Sequence, residues 1–192
     1  MPFNEISPEA RSLLEKLRLP PFSQIGITVP DIRKGVRCYG VLLGIPRWYR
    51  TVITRVEYFY RGSPIDQKLD IAVGYSGKMQ VELIEVSGAD ENIYTGTLGF
   101  HHLGVTVGDM DRRLEAMEHA GITPVQTGTI AFGRGGVTRF AYLDTMTIAG
   151  FILELIETRA FGINLGMPRW LVSLGRLTGD TRSIDPSEEE GI

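Results

Sequence analysis

The chain has 192 residues, of which 43% are hydrophobic and 22% charged, and a formal net charge of -3. That balance suits a globular fold with a sizeable core and excludes collagen-like, disordered or strongly basic nucleic-acid-binding classes. The lone cysteine, Cys38, excludes an internal disulfide, and no apolar run approaches the ~20 residues needed to span a bilayer.

The opening residues are charged and lack the apolar core of a secretory signal, so a cytoplasmic location is expected, with neither nucleic acid nor membrane as partner. Residues 7–17 read as a helix, with Ser7 as N-cap, Pro8 at the first helical position and Pro20-Pro21 beyond its end. From Phe22 the period becomes two: Ile25, Ile27 and Val29 alternate with Gln24, Gly26 and Thr28, as in a strand with two unlike faces. Pro30-Asp31 opens a helix to about Leu43, which Gly44 terminates. Aromatic-rich extended segments follow over 48–60. Residues 69–75 and 79–86 form strands joined by a turn at Ser76-Gly77. A polar linker, 88–99, separates this first unit, 22–87, from a second, 100–158. The second unit begins with a strand from His102 to Val107 and a helix from Asp109 to Ala120 that Gly121 stops. Extended segments over 122–127, 138–143 and 151–158 complete it. Residues 1–21 are an N-terminal helical extension, and 159–192 a C-terminal extension whose acidic end, 185–192, is expected to be disordered.

The two units repeat. Gln24-Ile25-Gly26-Ile27-Thr28-Val29-Pro30-Asp31 aligns with His102-Leu103-Gly104-Val105-Thr106-Val107-Gly108-Asp109, and Val81-Glu82-Leu83-Ile84-Glu85-Val86 with Leu153-Glu154-Leu155-Ile156-Glu157-Thr158. Each copy reads strand–helix–strand–strand–strand. Strand alternation puts Gln24, Glu82, His102 and Glu154 on one face and their apolar neighbours on the other, under a helix. Gly26 and Gly104 share the polar face and are expected to leave room there for a ligand. Imidazole, carboxylates and an amide oxygen suit a borderline divalent ion. Glu85 and Glu157 are rival carboxylates that fall on the helix side by parity.

These paired openings and endings resemble the vicinal-oxygen-chelate superfamily, which includes glyoxalase I and methylmalonyl-CoA epimerase. The likeness covers about residues 22–158. It implies an α+β fold in which two βαβββ modules form one curved mixed sheet, with a concave metal and substrate cavity and helices on the outer face. The openings and endings most resemble the epimerase branch, where His is usual at the position of Gln24. Gln24 with Glu82, His102 and Glu154 resembles the ligand set of glyoxalase I. The resemblance implies zinc, nickel, cobalt or manganese at these residues and a small-molecule carbonyl substrate, small or bulky and apolar. The chemistry is that of an isomerase, epimerase or lyase next to a carbonyl, with Glu154 as both ligand and base. Asp70 is a candidate second base. Arg134 or Arg139 could clamp an anionic group, and Tyr58 or Tyr60 could line the substrate pocket. His101 would point away from His102 in a regular strand.

Two other readings compete. An extradiol-type dioxygenase usually needs two His and one carboxylate, whereas His102 is the lone His at a ligand position here. A non-catalytic small-molecule binding or resistance protein of the same fold would lack ligands in the cavity. A homodimer is expected from the resemblance, with the amphipathic stretch 168–177 helping to hold it.

Overall fold

The structure is a computed structural model that describes residues 5–51, 55–132, 136–160, 163–164, 166 and 181–186. Helix α1 (Pro8–Leu17) starts where the Ser7 hydroxyl accepts a bond from the Ala10 N–H at 3.2 Å. The first repeat unit then supplies β1 (Gln24–Thr28), α2 (Ile32–Leu42), β2 (Trp48–Thr51), β3 (Arg55–Tyr60), β4 (Ser63–Pro64), β5 (Gln67–Ser76) and β6 (Met79–Gly88). The second supplies β7 (Gly99–Thr106), α3 (Met110–His119), β8 (Pro124–Phe132), β9 (Gly136–Leu143), the short α4 (Met146–Ala149) and β10 (Ile152–Ala160). Two strands follow in the tail, β11 (Ile163–Asn164) and β12 (Thr181–Ile184).

All the strands belong to one mixed sheet in the order β12-β2-β5-β6-β1-β7-β10-β9-β8-β3-β4, with β11 beside β10. The halves meet where β1 and β7 pair antiparallel. Each of these two strands has its own unit's last strand, β6 or β10, parallel on its other side. The fold is therefore the expected α+β arrangement of two βαβββ modules in one curved sheet.

Two strands of the first unit, β3 and β4, depart from the repeat. β2 pairs with β5 near one end of the sheet, whereas β3 pairs with β8 near the other. Residues 52–54 alone separate them, so those two places in the sheet lie no more than about 14 Å apart at full chain extension. The sheet must curl strongly to satisfy that tether, and the curl makes the concave side a narrow cup.

The outer face carries the two helix-covered cores. Under α2 lie Ile27, Val29, Val36, Ile45, Trp48, Val81 and Leu83. Under α1 and α3 lie Leu17, Val105, Met110, Met117, Leu143, Leu153 and Leu155. Helix α1 is thus part of the second core, and Arg113 ties it down by donating to the Leu17 carbonyl at 3.1 Å.

The helix starts repeat as the strands do. Glu85 accepts from the Ile32 N–H at 2.8 Å, and Glu157 from the Met110 N–H at 3.3 Å, each satisfying an orphan donor at its helix N-terminus. The tail also contributes: β12 pairs with β2, Ile184 joins the first core, and Pro186 packs against Gly40. The stretch 168–177 and residues 187–192 lie outside the described residues.

Leu155 is fully buried in the second core. Leu155→Ala is expected to destabilise the protein by about 2–5 kcal/mol through lost burial and the cavity it leaves. Denaturant unfolding measures this, and a loss below about 1 kcal/mol, as at a surface site, would contradict the packing described.

Candidate metal centre

The four central strands bring the polar residues together. Gly26 sits between Glu82 on β6 and His102 on β7, and Gly104 between Gln24 on β1 and Glu154 on β10. Glu82, His102 and Glu154 each offer a ligand atom, all within 4.8 Å of one another. Gln24 lines the same cavity, and its amide donates to Glu82. The glycines serve a purpose other than the one expected from the sequence. A Cβ at Gly26 would fall on the His102 imidazole, and one at Gly104 would press on the Gln24 Cβ at 2.9 Å. The room they leave is filled by the polar side chains themselves rather than by a ligand.

The cluster is dry. Side-chain exposure is 0% for His102, 5% for Glu154 and 14% for Glu82. The His102 Nε2 lies 3.0 Å from the Glu154 Oε2 and 3.6 Å from the Glu82 Oε2. Despite that proximity, His102 Nε2 and Glu154 Oε2 have no aligned hydrogen-bond partner. Two acceptor atoms facing each other without water need a proton or a cation between them.

The electrostatics agree. Burial, reinforced by the charge of Glu154, pushes the Glu82 carboxyl up to about 7, against a smaller opposing pull from His102 and the Gln24 bond. Burial pushes Glu154 up to about 8, with the Tyr142 hydroxyl holding it down in part. Burial brings His102 down to about 4 and, together with His102, His101 to about 4. Both imidazoles are neutral at pH 7, the state in which a nitrogen lone pair can bind a metal. An orphaned imidazole nitrogen, an orphaned carboxylate oxygen and a second carboxylate fit a divalent ion of the borderline kind.

Around the cluster lies a cavity of about 60 Å3 lined by Leu69, Ile71, Ile130, Phe140 and Ile156, with Thr138, Gln80, Tyr94 and Tyr142 adding polar groups. Several of these neighbours were not legible in the sequence. Tyr94 comes from the segment expected to be a plain linker. It is buried, its hydroxyl bonds that of Tyr142 at 2.6 Å, and its ring stacks on His101 at 4.5 Å. The neighbouring Ile93 N–H donates to Gln126 at 3.0 Å, so this connection folds into the cup. Tyr142 could have been found by parity, since it is paired with Glu154 and shares the inward face of β9 with Phe140. His101 could not. The register shifts between Gly26 and Ile27, opposite His102 and Phe100, and this bulge turns His101 inward beside His102.

The other candidates are dispersed. Arg139 faces the helix side, where it pairs with Asp111 at 2.5 Å and approaches Glu157 at 3.7 Å. It therefore cannot clamp a ligand in the cup. Asp70 is on that side too, bound by Arg50 at 2.6 Å, which removes it as a second base. Glu85 and Glu157 cap helices, as their parity requires. Tyr58 packs beside Phe140 and Tyr142 on the concave side. Tyr60, at the end of β3, is half-buried with the Arg61 guanidinium 5.4 Å over its ring, and does not line the cavity. Arg134 lies outside the described residues.

The sequence profile of the Glyoxalase/Bleomycin resistance protein/Dioxygenase superfamily matches residues 23–142. Among solved structures, a hypothetical protein from Bacillus halodurans is 20% identical, with a TM-score of 0.49 over 75% of this chain and 98% of that one. Methylmalonyl-CoA epimerase from Mycobacterium tuberculosis is 18% identical, with a TM-score of 0.48 over 72% and 87%. A mutant 4-hydroxymandelate synthase from Streptomyces coelicolor is 14% identical, with a TM-score of 0.47 over 77% and 51%. Comparison with curated proteins finds no match.

The raised carboxyls have a measurable consequence. Well above pH 6.5 both imidazoles are neutral whether the chain is folded or not. Glu82 and Glu154 still hold protons in the folded chain that the unfolded chain has lost, so their burial penalises folding increasingly as pH rises through about 7 and 8. Below 6.5 the depressed histidines act in the opposite sense. Thermal melts of chelator-treated protein should show Tm falling between pH 6.5 and 8.5, and an added divalent ion should remove much of that fall. A flat profile without metal would rule out the buried carboxyl pair.

Proposed function

The chain belongs to the Glyoxalase/Bleomycin resistance protein/Dioxygenase superfamily, and we propose that within it the protein is a metal-dependent isomerase, epimerase or lyase acting on a carbon next to a carbonyl. The observation that carries this reading is the convergence of Glu82, His102 and Glu154, two of whose facing atoms make no aligned hydrogen bond, at a small, largely apolar cavity. A divalent ion such as zinc, nickel, cobalt or manganese, held by these three with Gln24 beside them, would supply Lewis-acid polarisation of the substrate carbonyl.

The protein's own groups suit the proton transfer. Glu154 lines the cavity beside Glu82, within reach of a substrate held there, and is the group placed to move the proton. The Tyr142 hydroxyl, paired with that of Tyr94, steadies its carboxylate form. Leu69, Ile71, Ile130, Phe140 and Ile156 exclude water and favour a compact apolar substituent. The cavity of about 60 Å3 falls well below the roughly 300 Å3 at which drug-sized sites begin. That size favours a small carbonyl compound over a bulky one. One imidazole and two carboxylates also differ from the two-His, one-carboxylate set of iron oxygenases.

Among the described residues no helix is long and apolar enough to cross a membrane. The homodimer expected from the sequence and a cytoplasmic location belong to this same proposal. Because β12 and Pro186 pack into the first unit, deleting the tail would damage the fold. The dimer is therefore best tested on the whole chain. Light scattering should give twice the 21.3 kDa chain mass, and the chain mass alone would remove the dimer.

Elemental analysis of protein purified without chelator should find a borderline divalent metal. His102→Ala should lose most of it while keeping the wild-type circular dichroism, because the core packs on the other side of the strand. Absence of metal, with no uptake on titration, would favour a binding protein. Iron with substrate-dependent oxygen consumption would favour a dioxygenase. Full metal content in His102→Ala would remove that residue from the ligand set.

A further inference from the structure

We propose that His101 is a positioning residue that fixes which nitrogen of His102 carries the proton, aiming the His102 Nε2 lone pair at the Glu82 and Glu154 carboxylates. The assignment follows from donor and acceptor identity along a chain of contacts. The His101 Nε2 lies 3.3 Å from the Ile93 carbonyl oxygen. A carbonyl only accepts, so this nitrogen bears the hydrogen and donates. In a neutral imidazole the other nitrogen is then a bare acceptor. That nitrogen, His101 Nδ1, lies 2.9 Å from His102 Nδ1. His102 Nδ1 must therefore be the protonated one, and its Nε2 is left with a lone pair. This is the atom 3.0 Å from Glu154 and 3.6 Å from Glu82 that has no hydrogen-bond partner.

The bulge makes the arrangement possible. Adjacent residues in a regular strand face opposite sides, so His101 would otherwise project toward the helices. The ladder pairs His102 with Gly26 and then Phe100 with Ile27, and the skipped His101 swings inward. The Tyr94 ring stacked at 4.5 Å and the Tyr142 ring at 5.6 Å hold it there. Tyr94 and Ile93 both come from the connection between units, so that connection anchors the far end of the relay.

The inference deepens the metal-site reading and rests on it for its consequence, although the tautomer itself is a property of the metal-free chain. The test uses two substitutions in the full chain. Phe in His101→Phe keeps the ring stacked on Tyr94 and removes the acceptor. Asn in His101→Asn loses the stack and places an amide oxygen where Nδ1 was. The chain has three histidines, so long-range 15N–1H spectra of metal-free, 15N-histidine-labelled protein can resolve His102.

We expect His102 to be Nδ1-protonated in the wild type and in His101→Asn, and to lose that preference in His101→Phe. Zinc affinity, measured by competition with a chromophoric chelator, should fall about 10–100-fold in His101→Phe, as when an outer hydrogen-bond partner of a ligand is lost, and recover in His101→Asn. An Nε2-protonated His102 in the wild type would overturn the proposal, as would a His101→Phe protein with unchanged tautomer and zinc affinity. If His101→Phe fails to fold, the wild-type tautomer and the Asn variant still decide. A wild-type protein with the expected tautomer but no zinc affinity would instead overturn the metal reading while supporting the relay.

Discussion

An imidazole and two carboxyl groups are buried together at the middle of the sheet, largely shielded from bulk water. Burying such groups unpaired costs several kcal/mol, so the surrounding structure must either neutralise them or hold them ready for a cation. The fold does both. Burial displaces Glu82 and Glu154 upward and His102 downward, so the metal-free cluster sheds charge. Their remaining lone pairs still face one another across a gap too short for water. A proton or a cation between them would satisfy the pair.

That constraint shapes the backbone. The β1–β7 seam puts a glycine opposite each bulky polar partner, because the imidazole of His102 and the side chain of Gln24 take up the space a Cβ would need. Outward-facing residues of the same strands pack under the helices and supply the apolar burial that supports the polar side. Two other glutamates of the repeat, Glu85 and Glu157, lie on the outer face and anchor the N-termini of α2 and α3. Alternation therefore divides four repeat-related carboxylates into two inward groups with chemical potential and two outward groups with a structural task.

The curl of the sheet then sets the size of the cup. With β3 crossing to pair beside β8, and Tyr94 descending from the connection between units, the concave side becomes an aromatic-lined chamber rather than an open groove. The cavity left beside Glu82 and Glu154 is small and largely apolar-lined.

Much of this was legible in the chain alone, because local rules govern it. Period-two alternation, the helix-start residues Ser7 and Asp31, the stop at Gly44 and the repeated openings and endings depend on neighbours a few residues apart. They were enough for α1, α2 and α3 and for the face shared by Gln24, Glu82, His102 and Glu154, while the fold class came from the family resemblance that the repeat carried. What the tertiary structure decided depends on register and long-range closure. A one-residue bulge reversed the direction of His101, since side-chain facing flips with each residue skipped. The tether between β2 and β3 brought distant strands together, Tyr94 reached the site from a segment with no periodic signal, and Arg139 and Asp70 found partners on the outer face. Those outcomes are set by which strands pair and where the chain must return, and strand patterning leaves both choices open.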